Sequence, residues 1–409
     1  MKLQEEQITY IREAFSSMKD KEGFLSLLNK CKVILYGEEA ILFEMRHLNY
    51  HCNPKNNKDR YYSFNIRKKS GDPRTIHAPN KGLKALQKCL NLILQVIFQP
   101  HKAATGFILG KSVVDNAKIH TGKNYVYNID LKDFFPSIEK ARVYSRLKFP
   151  PFNLDNEKSK LANIIAGLCC QEMEVERLEA GQWVKKMEYV LPQGAPTSPT
   201  LTNIICERMD RRLAGAAKKN GLSYSRYADD ITFSSNHNKY QKDGEFLKEV
   251  ERIITDQNFI IKTEKTRLQK QGYRQEVTGL LVNSNVNVQQ RYIKELRMWL
   301  YYWECYGYDR AYEFFLPRYK AEKGNVKKGK PNLENVLKGK LDYLKMVRDD
   351  SDKLYMKLTE RFNKLKICGI EPSERGNHIE MVLNIFVKKG LDEAMILYKP
   401  IKTELNDNQ

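Results

Sequence analysis

With 409 residues, 70 Lys and Arg against 50 Asp and Glu, and a formal net charge of +20, the chain can bury a sizeable core in two or three domains and calls for a polyanionic partner. Phosphate contacts by Lys and Arg release counterions, which favours nucleic acid as that polyanion, with membrane surface as the competitor. The longest apolar run, Leu90 to Phe98, falls short of the roughly 20 residues of a membrane span, and Met1 to Glu6 does not begin a secretory signal, so a cytoplasmic protein without membrane contact is expected.

Residues 1–60 read as a mostly helical entry. Tyr61 to Ile76 predicts a β-hairpin, with Ser70-Gly71-Asp72-Pro73 as turn residues between aromatic and β-branched flanks. Asn116 and His120 stand at helical spacing, where a satisfied polar pair is the plain reading. From Tyr125 to Leu131, the side chains of Tyr125, Tyr127, Ile129 and Leu131 fall on one side of a period-two strand and Asp130 on the other. After Pro196-Thr197-Ser198-Pro199, the residues Leu201, Ile204, Ile205, Met209 and Leu213 recur at helical spacing, with Ser198 as cap, Pro199 in the first turn and Gly221 past the end. Leu222 to Arg226 and Ile231 to Ser235 then form a predicted hairpin with Tyr227-Ala228-Asp229-Asp230 at its tip. Adjacent aspartates in a turn are by themselves ordinary turn chemistry.

A helix carrying Phe246, Leu247, Val250, Ile253 and Ile254 and a strand-like Phe259-Ile260-Ile261 follow. The order strand, helix, hairpin, helix, strand is that of a split βαβ sheet with helices on one face, which leaves the other face free to carry acids. Val277 to Val288 reads as extended, with Gly279 permitting close approach. Beyond about residue 290 the pattern is helical and aromatic, from Tyr292 and Trp299 to Tyr308. Arg318 to Lys330, with Lys320, Lys327, Lys328 and Lys330, is the most basic loop, and residues 369–409 read as an appended helix with a polar tail. Eight cysteines form no Cys-x-x-Cys pair and no zinc-like grouping, so they are expected as reduced thiols.

Carboxylates from two strands suit phosphoryl transfer with two divalent metals roughly 3.5–4 Å apart. Mg²⁺ keeps several waters, so a few Asp side chains suffice as its protein ligands. Asn128-Ile129-Asp130-Leu131-Lys132-Asp133-Phe134-Phe135, Leu191-Pro192-Gln193-Gly194-Ala195-Pro196-Thr197-Ser198-Pro199 and Tyr227-Ala228-Asp229-Asp230 occur in the order of reverse transcriptase motifs. Asn116-Ala117-Lys118-Ile119-His120 resembles the Asn-Ala-x-x-His signature, and Val277-Thr278-Gly279 the Val-Thr-Gly triplet, of retron reverse transcriptases. The chain therefore resembles a bacterial retron-type reverse transcriptase, over about residues 60–370.

That resemblance implies an α+β right-hand polymerase. Its parts would be an N-terminal helical extension (1–60), fingers (61–124), a palm with a split βαβ antiparallel sheet (125–284, with an inserted fingers segment at about 140–190), a helical thumb (285–368) and a C-terminal extension (369–409). It makes Asp130, Asp229 and Asp230 the catalytic acids and, with Leu131, the ligands of two Mg²⁺ ions, Mn²⁺ being the alternate. Lys265 would stand near the leaving pyrophosphate as a general acid, a surface lysine being the plain alternative. Phe135 would reject a 2′-hydroxyl, with Phe134 beside it, and Gln193 and Gly194 would meet the nascent base pair. Lys68 and Arg74 would fold over the triphosphate, Arg74 above all because a guanidinium grips phosphate bidentately.

RNA or DNA contact is implied for Asn116 and His120, with support of the Asp130 strand as the other role, for Tyr227, Val277, Thr278 and Gly279, and for Lys320, Lys327, Lys328 and Lys330. The implied partners are a structured noncoding RNA serving as template and primer, its RNA–DNA product, deoxynucleotides and a separately encoded effector of antiphage defence. Another defence-associated or group II-like reverse transcriptase, and a non-catalytic RNA-binding scaffold, are the competing readings.

Overall fold

In a computed structural model that describes residues 3–53, 58–67, 71, 73–179, 181–323, 331–368 and 395, the chain opens with three helices, α1 (Glu5–Ser17), α2 (Lys21–Tyr36) and α3 (Met45–Cys52). The Asp20 side chain caps α2 by accepting from the Gly23 amide. Strands β1 (Tyr61–Arg67) and β2 (Pro73–Pro79) pair antiparallel, as the alternation predicts, and lead into α4 (Lys81–Ile97), capped by Asn80. Ile11, Phe15, Phe24, Leu27 and Leu28 join Leu86, Leu90 and Leu94 in a shared core. Each such side chain contributes about 1.5–3 kcal/mol on burial, so the entry helices are part of the body they precede.

Next come α5 (Val113–Lys118), β3 (Tyr125–Asp130), α6 (Lys140–Leu147), α7 (Ser159–Cys169), and a long hairpin of β4 (Gln171–Glu179) and β5 (Gln182–Val190). Helix α8 (Ser198–Lys219) follows, with proline in its first turn, Lys218 and Lys219 in its last, and Gly221 at φ 70° beyond it. Ser198 is not the cap: its hydroxyl donates to the Pro192 carbonyl at 2.8 Å, and Thr197 precedes the helix instead. The chain continues through β6 (Ser223–Tyr227), β7 (Asp230–Ser235), α9 (Glu245–Thr255), β8 (Arg267–Lys270), β9 (Glu276–Val277) and β10 (Leu280–Leu281).

The main sheet is antiparallel with order β6-β7-β3-β8. Its covered face meets the helices: Phe233 lies 5.1 Å from Phe246 of α9, edge to face, and shares a core with Leu201 and Met209 of α8. This is the palm plan of an α+β right-hand polymerase. Phe259-Ile260-Ile261 is not the fourth strand. Phe259 turns inward onto Phe134, 5.5 Å away, Ile261 makes a single bridge to Leu131, and Thr263–Lys265 then coils into a 3₁₀ turn. The strand beside β3 is instead β8.

The chain divides into two units, residues 1–285 and 286–409. Within the second, α10 (Gln290–Lys323), α11 (Leu333–Arg348) and α12 (Lys353–Cys368) bury Leu296, Trp299, Trp303, Phe315, Leu337, Leu341, Leu344 and Phe362. Gly307, at φ 73°, breaks the regular course of α10. Arg361 grips Glu304 with two donors, at 2.7 and 2.5 Å. Trp299 and Trp303 are core, whereas Tyr301 is 39 % exposed.

Cys31, Cys52, Cys89, Cys169, Cys170, Cys206 and Cys305 are free, and burial pushes the Cys31, Cys89 and Cys169 thiols up to about 12, so these three pack rather than react. Among the described residues no helix is long and apolar enough to cross a membrane. The expectations for Lys68, Lys327, Lys328, Lys330 and residues 369–394 and 396–409 fall outside the described residues.

Candidate active site

Strand β3 ends on Asp130 and β7 begins on Asp230, and the antiparallel register sets these two residues directly opposite each other. Tyr227 pairs with Asp230 to close a two-residue turn, Ala228-Asp229, and the Leu131 amide donates to the Asp229 carbonyl at 3.2 Å. The three acids therefore meet because two strands 100 positions apart are neighbours in one sheet.

Ala228 has φ 57°, a left-handed conformation that costs an L-residue about 1–2 kcal/mol. The turn is wedged from behind: a Cβ on Gly106 would stand 2.7 Å from the Ala228 amide nitrogen, so only glycine fits.

Burial, then the nearby Asp130 carboxylate, raises Asp229 above the usual carboxylate range. Burial, then Asp229 and Asp130, pushes Asp230 up to about 7. Lys265 offsets part of this like-charge stress, its ammonium donating to Asp130 Oδ2 at 3.2 Å. Among the described residues no group of three or more His, Cys, Asp or Glu side chains is by itself arranged to hold a metal ion. An open, oxygen-only, charge-stressed set suits Mg²⁺, which retains waters and takes further ligands from substrate phosphates, so the residues present fit the ion.

The acids open into a cleft of about 800 Å³. Its walls include Arg74 of β2, Phe135, Gln193, Gly194, Tyr227 and Lys265, which the structure thus brings together. Gly194, at φ 128°, supports the β2 docking: the His77 amide donates to the Gln193 carbonyl at 2.8 Å, and a Cβ on Gly194 would meet the His77 carbonyl at 2.7 Å. Phe135 lies 6.1 Å from Phe107 and 5.6 Å from Phe134. Phe134 also lines the cleft, while its ring, 4 % exposed, packs on Phe259.

Asn116 and His120 also stand elsewhere than a nucleic-acid surface, for both are fully buried. The Thr105 and Ser225 hydroxyls each donate to Asn116 Oδ1 at 2.7 Å. With the Ser225 proton so committed, His120 donates from Nε2 to Ser225 Oγ at 2.7 Å and accepts at Nδ1 from the Ser234 hydroxyl at 2.8 Å. The pair thus holds β6 and β7 rather than β3. Val277-Thr278-Gly279 is likewise not part of an extended run. Thr278 and Gly279 are the two central residues, both at positive φ, of a tight β9–β10 turn, Val277 is buried, and Thr278 Oγ1 donates to the Val113 carbonyl of α5 at 3.3 Å. Lys320 is an exposed residue of α10.

Burial pushes His120 down to about 3, below the roughly 6.5 of an unfolded histidine. As pH falls, the unfolded chain therefore takes up this proton first, and stability that is fully present above about pH 6.5 is lost progressively toward pH 3. The urea midpoint is expected to fall across that window, with a shallower slope for His120→Gln. Identical slopes would remove His120 from the account.

Several residues of the site escaped the sequence reading. Arg226, wholly buried, donates to Asp210 through Nε at 2.7 Å and Nη2 at 2.6 Å, to Asn203 Oδ1 at 3.0 Å and to the Ala228 carbonyl at 3.1 Å. Asn203 in turn donates to the Gly106 carbonyl at 3.0 Å. On the other side, Lys132 lies 3.3 Å from the Trp183 ring centroid, and Met173 of β4 lines the cleft. An Arg immediately before Tyr227-Ala228-Asp229-Asp230, with Asp210 in the preceding helix, is the signal that was available.

The family model described as "Reverse transcriptase (RNA-dependent DNA polymerase)" matches residues 66–291, more than half of the chain. The chain is 38 % identical over 238 residues to the retron Mx162 reverse transcriptase and 36 % over 264 residues to the retron Mx65 enzyme, both of Myxococcus xanthus; these matches cover 55 % and 63 % of this chain. They span 47 % and 59 % of those relatives' own lengths. It is also 32 % identical over 252 residues to the retron Ec86 reverse transcriptase of Escherichia coli, covering 60 % of this chain and 71 % of that one. With the acids, cleft and sheet described above, these matches mean that the chain belongs to the reverse transcriptase family and is of the retron type.

Proposed function

We propose that the protein is an RNA-directed DNA polymerase that copies a cognate structured noncoding RNA. The observation that carries this reading is the register of Asp130 opposite Asp230 beside Asp229, at the floor of a cleft walled by Phe135, Arg74 and the Gln193-Gly194 turn. Asp130, Asp229, Asp230 and the Leu131 carbonyl would hold Mg²⁺, with Mn²⁺ as the alternate, and the metal supplies charge neutralisation at the reacting phosphate. Arg74 binds triphosphate oxygens, and Lys265 presents an ammonium that can protonate the departing pyrophosphate. Phe135 packs beneath the incoming sugar, and Gly194 lets backbone approach the new base pair.

On this reading Phe135→Ala opens room for a 2′-hydroxyl and lowers discrimination between deoxy- and ribonucleotides by about 10–100-fold, an effect of the size expected for pocket contacts. Single-nucleotide incorporation with each substrate checks it, and unchanged discrimination would return Phe135 to a packing role.

The finer reading is that synthesis starts from a 2′-hydroxyl of the RNA, leaves a branched RNA–DNA product, and serves antiphage defence with a separately encoded effector. It is supported by the retron relatives and by the basic net charge of +20. The test is to express the chain with its native flanking DNA and run total nucleic acid on a denaturing gel, with and without RNase and debranching enzyme. A short discrete DNA that shifts on debranching is expected. Long, heterogeneous DNA without an RNA branch would favour a defence-associated polymerase of another kind, and no DNA at all would favour a scaffold.

A further inference from the structure

We infer that Asn116 and His120 are positioning residues for the catalytic turn, acting through a buried polar network rather than by touching RNA. The inference rests on the polymerase reading for its kinetic consequences but on geometry for its content. Residues 103–107 form a wedge between α5 and β6. The Arg226 amide donates to the Ala103 carbonyl, and the Thr105 amide to the Arg226 carbonyl, both at 2.9 Å, in a parallel bridge centred on Ala104.

The Asn116 carboxamide oxygen clamps this wedge to the strand, since it accepts from Thr105 on one and Ser225 on the other. The next two residues of the wedge reach the site. Gly106 backs the Ala228 amide so closely that no Cβ fits, and Phe107, at φ 61°, tilts against Phe135 at 6.1 Å and Tyr227 at 6.3 Å. A displacement at Thr105 therefore moves Gly106 into the turn and Phe107 into the wall beneath the sugar.

His120 fixes the same strand pair from the far side by bridging Ser225 of β6 and Ser234 of β7. Helix α5, which carries Asn116, also receives the Thr278 hydroxyl on its Val113 carbonyl, so the Asn-Ala-x-x-His and Val-Thr-Gly segments converge on one support. The network is satisfied at Asn116 Oδ1 and not at Asn116 Nδ2, which is buried without a partner, so its hold on the geometry runs through the oxygen, whose two donors would be penalised if left without it.

The test uses the full chain with Asn116→Ala, Thr105→Val, which keeps shape and loses the hydroxyl, and Thr105→Ser, which keeps the hydroxyl. Asn116→Ala and Thr105→Val should lower kcat for a single templated addition about 10–100-fold, the scale of a misplacement near 1 Å, with RNA Kd and nucleotide KM within about twofold. Thr105→Ser should retain kcat within about threefold, and hydrogen exchange at amides 228–231 should quicken at least about tenfold in Asn116→Ala, as expected when local opening becomes easier. Weaker RNA binding with kcat intact would make the segment an RNA contact and overturn the inference. Equal losses in Thr105→Val and Thr105→Ser, or unchanged exchange at 228–231 whatever the activity, would overturn it as well. If the wild-type chain shows no templated synthesis, the polymerase reading falls, and the exchange measurement still decides the inference.

Discussion

Exchanging Asp229 for asparagine is expected to lower templated nucleotide addition about a thousandfold or more, while RNA affinity stays within about twofold. The exchange keeps size and shape but removes the charge that draws a divalent cation to the Asp130–Asp229–Asp230 cluster. Losing about 4 kcal/mol of transition-state stabilisation at such a cation corresponds to about a thousandfold in rate. Phosphate contacts spread over a chain of net charge +20 would set the proposed RNA affinity, so one lost carboxylate is expected to change it little. Single-turnover extension and filter binding on one preparation separate the two quantities. Robust extension by Asp229→Asn would place the reacting phosphate somewhere other than between β3 and β7.

Arg226→Met carries the largest expected loss of stability, about 3–5 kcal/mol, because it breaks a wholly buried ion pair and strands the partner charge. The pair is 0 % and 1 % exposed at its Arg226 and Asp210 side chains, and Asp210 would retain only the Tyr224 hydroxyl, 2.7 Å away. The Ala228 carbonyl and Asn203 Oδ1 would each lose a donor as well. Urea unfolding followed by tryptophan-independent far-UV signal gives the loss. The double variant Arg226→Met/Asp210→Leu should recover part of it, since replacing both charges leaves none stranded. A single-variant loss below about 1 kcal/mol, the scale of an exposed pair, would mean that the bridge does not act as a buried one.

The contrast between these residues shows what the sequence could disclose. Asp130 and the Asp229-Asp230 turn were legible because short-range alternation and turn chemistry put each on a strand end, and the order of motifs linked them. Helix α8 was legible from its proline, periodicity and terminal glycine. Strand β8, Arg-Leu-Gln-Lys, was not, since one apolar residue in four carries no alternation, whereas Phe259-Ile260-Ile261 looks more strand-like and is diverted by core packing. The β4–β5 hairpin was hidden by the glutamates and lysines that stud it.

For Asn116 and His120 the sequence left a buried polar pair and an RNA contact both open. Their partners Ser225 and Ser234 lie more than 100 positions away, and no local pattern tells a buried amide from one that faces RNA. Of the adjacent Phe134 and Phe135, which ring packs deeper is decided by Phe259, far along the chain.

The sheet order has a consequence for how the protein comes into being. Strand β3 is flanked by β7 and β8, so both of its edges stay unpaired until those later segments emerge from the ribosome. From Asp130 to Lys270 is 140 residues (270 minus 130), or roughly 7–28 s of synthesis at about 5–20 residues per second. For the first 100 residues of that stretch (230 minus 130) the nascent chain carries an aspartate-tipped strand without its partner acids, and to the end of it one open edge that must be shielded from other chains. On the proposed polymerase reading, the acid cluster is thus completed late in translation, and a message truncated before codon 230 yields a fragment that lacks Asp230.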